Sequence, residues 1–265
     1  MTIAISKDGT HIAYDQRGDG PAVVLVDGAF GSRSFGPNVG TAPLLGPHFT
    51  VVHYDRRGRG ESGDAPSYAV EREIGDLAAA VEAAGGSAAV FGTSSGGNLA
   101  LKAAAGGVPI TRLALWEPNF IVNDSRPPLP PDYVDRLNDL IGSDRRGDAV
   151  EYFMTVAVGM PVEFVAQMRE MPIWPAFEEA AHTLAYDGAV IAEHMTGEEP
   201  APERWVEVKM PTLVIDGGTT PWISRGADAV AAVLPNVQRR TIPGQQHDVD
   251  PAALAPVLIE FFEED

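Results

Sequence analysis

The sequence contains no cysteine, which excludes disulfides, thiol catalysis and Cys-ligated metals outright. It is also short of positive charge: 19 Lys and Arg stand against 37 Asp and Glu, a formal net charge of −18. Such an acidic chain is repelled by nucleic acid and by anionic lipid, so neither nucleic acid nor membrane is expected as a partner. No apolar run approaches membrane-spanning length. The opening residues, Met1-Thr2-Ile3-Ala4-Ile5-Ser6-Lys7-Asp8-Gly9, lack a basic region followed by a long apolar stretch, and a cytoplasmic protein is expected. Internal repeats and low-complexity segments are absent as well. What remains is 265 residues with 45% hydrophobic content, enough for one α/β domain with an insertion or for two small domains.

The pattern along the chain is one of strands alternating with helices. Residues 2–6 and 11–15 alternate in polarity around Asp8-Gly9 and read as a hairpin. Residues 21–26, 49–54, 87–91, 113–116 and 211–215 read as strands, with short apolar runs that mark strands covered on both faces, and 237–242 reads as the last strand. Helical spacing runs over 68–84, 98–105, 225–234 and the last residues to Phe262. These alternations predict an α/β fold with a mostly parallel central sheet flanked by helices, its functional loops at the carboxyl ends of the strands. Between Glu117-Pro118 and Met210 the character changes: prolines cluster at 127, 128, 130 and 131, and only helical stretches follow, at 132–141, 147–156, 161–168, 174–185 and 188–195. This predicts a core of residues 1–120 and 206–265 with a helical cap, 121–205, inserted after the sixth strand. Phe153, Met154, Met160, Phe164 and Phe177 in that cap either line an apolar pocket or pack within it.

One stretch carries chemistry on its face. Gly92-Thr93-Ser94-Ser95-Gly96 breaks an apolar strand and opens a helix, the context that gives a Gly-x-Ser-x-Gly match its meaning. A sharp turn there holds Ser94 in a strained conformation, so the positions two places either side must be nearly free of side chain, as Gly92 and Gly96 are. The following helix directs its N-terminal amides at negative charge developing near Ser94. A serine nucleophile needs a base. Of six histidines, His11, His48 and His53 lie in or beside early strands and His182 and His194 in the cap. His247 lies in a Gly-rich loop between the last strand and the last helix, and it gives the chain order Ser, acid, His. Arg56, Arg57 and Arg59, in the loop after the 49–54 strand, read as solvated or carboxylate-paired rather than as a phosphate site.

Over nearly its whole length the chain resembles the α/β-hydrolase superfamily. The resemblance rests on the Asp27-Gly28 loop, the Asp55-x-x-Gly58-x-Gly60-x-Ser62 loop, the Ser94 elbow, the cap after strand six and His247. It implies an oxyanion hole made by the backbone amides of Ala29 and Ser95. It also implies an acid three residues after the glycine closing the seventh strand, but that position is Thr220, which carries no charge. Some subfamilies, certain haloalkane dehalogenases and the zearalenone lactonases among them, use a Glu at the end of strand six instead, and here that residue is Glu117. Glu117 is therefore the expected partner of His247, with Asp216 the alternative and Asp248 poorly placed beside His247 in sequence.

A serine at the elbow argues against dehalogenase and epoxide hydrolase chemistry, which the family runs on Asp. The set fits acyl transfer to water on an ester or lactone of a fairly apolar small molecule, with no metal and no cofactor. Carbon–carbon bond hydrolases and cofactor-free haloperoxidases resemble it in the same parts, and a ligand receptor that has kept the fold is the non-enzymatic alternative. Similarity to zearalenone lactonases extends to Asp-Gly in the first loop, Ser-Ser-Gly at the elbow and Pro172-Ile173-Trp174, which implies a substrate contact at Trp174. Oligomeric state is not legible.

Overall fold

The structure, a computed structural model, describes residues 2–264. Eight strands form one sheet: β1 (Thr2–Ile5), β2 (His11–Arg17), β3 (Ala22–Val26), β4 (Thr50–Tyr54), β5 (Ala88–Thr93), β6 (Ile110–Trp116), β7 (Thr212–Gly218) and β8 (Val237–Gln245). Their order is β1-β2-β4-β3-β5-β6-β7-β8. The hairpin pairs β1 with β2 antiparallel and β2 meets β4 antiparallel; from β4 onward every pairing is parallel. The helices are α1 (Pro37–Leu45), α2 (Val70–Ala83), α3 (Ser95–Ala105), α4 (Tyr133–Gly142), α5 (Arg146–Tyr152), α6 (Val162–Met168), α7 (Trp174–Ala180), α8 (Leu184–Ile191), α9 (Pro221–Val233) and α10 (Pro251–Glu263).

The apolar runs are continuous because both faces are covered. Along β3, Val24 and Val26 join a core with Leu77, Leu99 and Val230 of α2, α3 and α9. Val23 and Leu25, one residue out of phase, join a second core with Leu45 and Leu258 of α1 and α10. That two-residue alternation is the pleat of the strand. Helix α1 is the element the sequence conceals: Gly40 and Pro43 within nine residues spoil its helical propensity, and it forms because it packs along α10.

From Glu117 to Pro211 the chain leaves the sheet, and helices α4 to α8 form there around a third core that includes Tyr133, Leu137, Val150, Phe153 and Leu184. Two expected helices are broken. After α5 the chain widens into a π-helical turn, Phe153–Val158, where Thr155 Oγ1 donates back to Glu151 O at 2.8 Å. The 174–185 stretch is divided by a 3₁₀ turn, Ala181–Thr183, into α7 and α8. Among the described residues no helix is long and apolar enough to cross a membrane.

Candidate active site

The sheet reverses direction of winding between β3 and β5. From β3 the chain steps outward to β4, then returns across to β5, so the loops after β3 and β5 diverge and leave a crevice at their carboxyl ends. The first of these loops carries Asp27, Gly28 and Ala29; the second is the Ser94 turn. Gly28 N–H donates to Thr93 Oγ1 at 3.1 Å and so ties the two together.

At the turn Ser94 has φ 53° and ψ −128°, which glycine tolerates and other residues do not. Its N–H donates to Trp116 O at 2.9 Å, continuing the β5–β6 ladder one residue past the strand. The turn is tight enough that a Cβ at Gly96 would meet the carbonyls of Asp27 and Val26, and one at Gly92 would lie 2.7 Å from Gly96 O. Positive φ is also taken by Phe30 (62°), in the loop after β3, and by Glu117 (45°), directly after β6.

Glu117 is 1% exposed. Its N–H donates to Ile215 O at 2.9 Å, which docks it against β7, and its Oε1 accepts from Gly217 N–H at 3.0 Å. Oε2 is left for the imidazole: His247 Nδ1–H donates to it at 2.6 Å. Trp116 Nε1–H donates to His247 O at 3.0 Å and fixes the loop that bears the histidine. With Nδ1 carrying the proton, Nε2 is the ring's acceptor. The Asp216 carboxylate is turned elsewhere. Its Oδ1 accepts from Arg239 Nη1 at 2.8 Å and Thr241 Oγ1 at 2.7 Å, and Oδ2 accepts from Ser224. Burial acts to raise its pKa, but the Arg239, Ser224 and Thr241 hydrogen bonds outweigh it and hold the carboxyl below its usual range. Thr220 is the residue before α9.

Ser94 Oγ donates to Asn119 Oδ1 at 3.2 Å. Asn119 is held in turn by Asn98, one turn along α3: Asn98 Oδ1 accepts from Asn119 N–H at 2.8 Å and Asn98 Nδ2 donates to Asn119 O at 3.1 Å. The amides of Ala29 and Ser95 give their hydrogens to no acceptor among the described residues, and both residues line the same narrow cavity as Ser94 and His247.

Behind the crevice lies a set of buried polar residues whose pairing the sequence left open. His53 Nε2–H donates to Asp27 Oδ2 at 2.6 Å and Asn38 Nδ2 to Asp27 Oδ1 at 2.9 Å, so His53 is a paired core histidine. Arg56 and Arg59 are buried and meet Asp187 of α8: Arg56 Nη1 donates to its Oδ1 at 2.7 Å and Arg59 Nη2 to its Oδ2 at 2.5 Å. Ser95 Oγ donates to Asp187 Oδ1 at 2.7 Å. The same arginines reach the first loop, Arg56 at Asp27 O (3.2 Å) and Arg59 at Gly28 O (2.5 Å). Burial pushes the Asp187 pKa up, yet Arg59, Arg56 and the Ser95 hydroxyl bring it below the usual carboxylate value. Arg57 pairs with Asp76.

Two cavities meet at Ser94. The wide one, about 760 Å³, runs past Phe30, Phe153, Met154 and Phe177 toward Gln246 and Asp250; the narrow one, about 130 Å³, reaches Asn119, Ile191, Trp222 and Ile223. Ser94, Ala29, Phe153, Val158 and His247 line both, and neither is lined by lysine or arginine among the described residues. Trp174, expected as a substrate contact, does not line them. It is 4% exposed within the third core, its Nε1 donates to Glu178 Oε1 at 2.9 Å, and Arg169 lies 5.5 Å over its ring. Phe177, one turn of α7 further on, provides the wall instead. Asn119, Asp187 and Trp222 were not singled out from the sequence; only Asn119, two residues past Glu117, had a local signal. Among the described residues no cluster of three or more His, Asp or Glu side chains is arranged to hold a metal ion.

A family model described as "Alpha/beta hydrolase family" matches residues 23–257. No curated protein matches the sequence. Among solved structures, an alpha/beta hydrolase from Sphaerobacter thermophilus is 53% identical, with TM-score 0.91, over 98% of this chain and 100% of that one. A thermophilic esterase from Thermogutta terrifontis is 21% identical with TM-score 0.68, over 98% of this chain and 97% of that one. The enol-lactonase from Burkholderia xenovorans is 22% identical with TM-score 0.68, over 99% of this chain and 100% of that one.

Proposed function

The chain belongs to the alpha/beta hydrolase family, and from that premise we propose that it hydrolyses an ester or lactone of a fairly apolar, uncharged small molecule through an acyl-enzyme on Ser94. The observation that carries this reading is the convergence at one crevice. A strained serine, the Nε2 of a histidine whose Nδ1 is bound to buried Glu117, and two unpaired amides line the same narrow cavity. In this reading Ser94 Oγ exchanges its hydrogen bond from Asn119 to His247 and attacks the carbonyl carbon, while Oγ passes its proton to Nε2. The amides of Ala29 and Ser95, at the N-terminus of α3, receive the developing oxyanion. The imidazolium, stabilised by Glu117, protonates the departing alkoxide. Water then repeats the sequence: its proton goes to His247, its oxygen to the acyl carbon, and the serine is released with a carboxylic acid. Residues 121–205 act as the cap that walls the site.

Substrate charge follows from the lining. With no lysine or arginine on either cavity, and with Asp248 and Asp250 on the wide one, a carboxylate-bearing substrate finds no counter-ion and meets like charge. The test is release of nitrophenol from p-nitrophenyl acetate or butyrate by the wild type and by Ser94→Ala, with phosphonate labelling of the serine. Release by the wild type, loss in Ser94→Ala to the uncatalysed level, and labelling at Ser94 are expected. Equal release by the two proteins would remove Ser94 from the mechanism.

A further inference from the structure

We infer that the two cavities divide the substrate at its scissile bond, a short acyl group of about two to four carbons lying in the narrow one and a bulky, uncharged, apolar alcohol in the wide one, with Trp222 setting the acyl length. This deepens the Ser94 hydrolase reading and rests on it. Because Ser94, Ala29 and His247 line both cavities, the reacting carbon sits at their junction. Ser95, whose amide completes the proposed oxyanion pair, lines only the narrow one, so the carbonyl oxygen points to that side.

The order of the chemistry agrees. The alcohol must depart while the acyl group stays bonded to Oγ, and water must then reach His247. A departing group lodged in the narrow cavity, whose lining includes buried Ile191 and Ile223, would have to leave past the acyl-enzyme. The wide cavity runs out past exposed Phe35, Gln246 and Asp248, and the alcohol leaves and water enters that way. The sizes match these tasks. A water occupies about 30 Å³ of liquid, so about 130 Å³ holds a group of roughly four such volumes. About 760 Å³ falls within the range of about 300–1,000 Å³ typical of pockets for whole small molecules.

The narrow cavity is also braced. Arg126 lies 4.7 Å over the Trp222 ring, and its two terminal nitrogens donate to Val156 O at 2.8 Å and Ala157 O at 2.9 Å, at the end of the π-helical turn. The guanidinium stacked on Trp222 is thus itself tied to residues 156 and 157, which braces this part of the wall.

The experiment compares 2-naphthyl acetate, butyrate and octanoate, which share one alcohol, with wild type, Trp222→Ala, Trp222→Phe and Ser94→Ala. For the wild type, kcat/KM is expected to fall by more than about 10-fold from butyrate to octanoate, since one misfitting methylene already costs about 10-fold or more. The octanoate-to-acetate ratio should rise by about 10-fold or more in Trp222→Ala and by less in Trp222→Phe. The ratio is read within each protein, so a partly folded variant does not distort it. A wild type that favours octanoate, or a ratio unmoved by both Trp222 variants, overturns the acyl assignment while Ser94-dependent turnover leaves the hydrolase reading standing. Turnover that persists in Ser94→Ala, or none at all in the wild type, overturns both.

Discussion

The backbone at Phe30, Ser94 and Glu117 adopts positive φ without glycine, at a cost of about 1–3 kcal/mol each, and all three sit where the chemistry is proposed. Strain at Glu117 aims a buried carboxylate at the His247 loop instead of along the strand, and the Gly217 N–H and the imidazole then use both its oxygens. Glu117→Gln is therefore expected to lower kcat by about 10³–10⁴-fold, the scale seen when a triad acid becomes an amide. Asp216→Asn should keep kcat within a few-fold and lower the melting temperature instead, because its partners are Arg239, Thr241 and Ser224. Steady-state kinetics and thermal melts on the two variants decide the assignment; a large loss of kcat confined to Asp216→Asn would reverse it. At this scale the sequence was readable where chemistry is local. Glu117 announces itself at a strand end once Thr220 fails as an acid. The motif around Trp174 gives no sign that Glu178 and Arg169 hold the indole.

Among the elements, α8 is the one whose role exceeds its packing. Through Asp187 it is joined to Arg56, Arg59 and Ser95, and through the two arginines to the carbonyls of Asp27 and Gly28. The peptide groups on both sides of the proposed oxyanion hole are thus fastened to a helix of the proposed cap. Removing one partner from a buried ion network leaves the others uncompensated, so Asp187→Asn should destabilise the fold by about 3–5 kcal/mol, measured by denaturant titration. Below its melting range the variant should show reduced kcat with little change in KM, since the donors act on the transition state; an unchanged kcat would show that the oxyanion loop holds its shape alone. The sequence displayed the strands, whose apolar runs and turn signals are contiguous, and its arginines read as solvated or carboxylate-paired. It could not show that Arg56 and Arg59 find Asp187 about 130 positions away, nor that α1 forms against its own propensity along α10. Such pairings are set by tertiary packing, which leaves no local period to read.

For the whole molecule, one buried group ties stability to acidity. His194 lies against Phe120 and Trp205 with ring centroids 4.7 and 5.6 Å away. Burial, then the charges of Lys102 and Arg204, lower its pKa to about 2, even with Glu193 Oε1 at 3.4 Å from Nε2. A folded-state value below the unfolded one means that the unfolded chain takes up a proton the folded chain refuses once pH drops below about 6.5. Stability from this site is complete above that pH and falls by about 1.4 kcal/mol per pH unit on further acidification. Denaturant midpoints at pH 7.5, 6 and 5 should accordingly favour His194→Phe over wild type by a margin that widens as pH falls. A constant margin would show that His194 titrates alike in both states.

The Glu117–His247 hydrogen bond has a consequence of another kind, because it joins residues 130 positions apart across the whole cap excursion. Ser94, the amides of Ala29 and Ser95 and Glu117 are synthesised before residues 121–205, and His247, the proposed base, emerges only after β8. Assembly of the proposed triad is therefore a late event in folding, dependent on a long-range loop closure. On refolding from denaturant, far-UV circular dichroism should recover before the proposed esterase activity, and a chain still being translated should carry a finished elbow that cannot yet turn over.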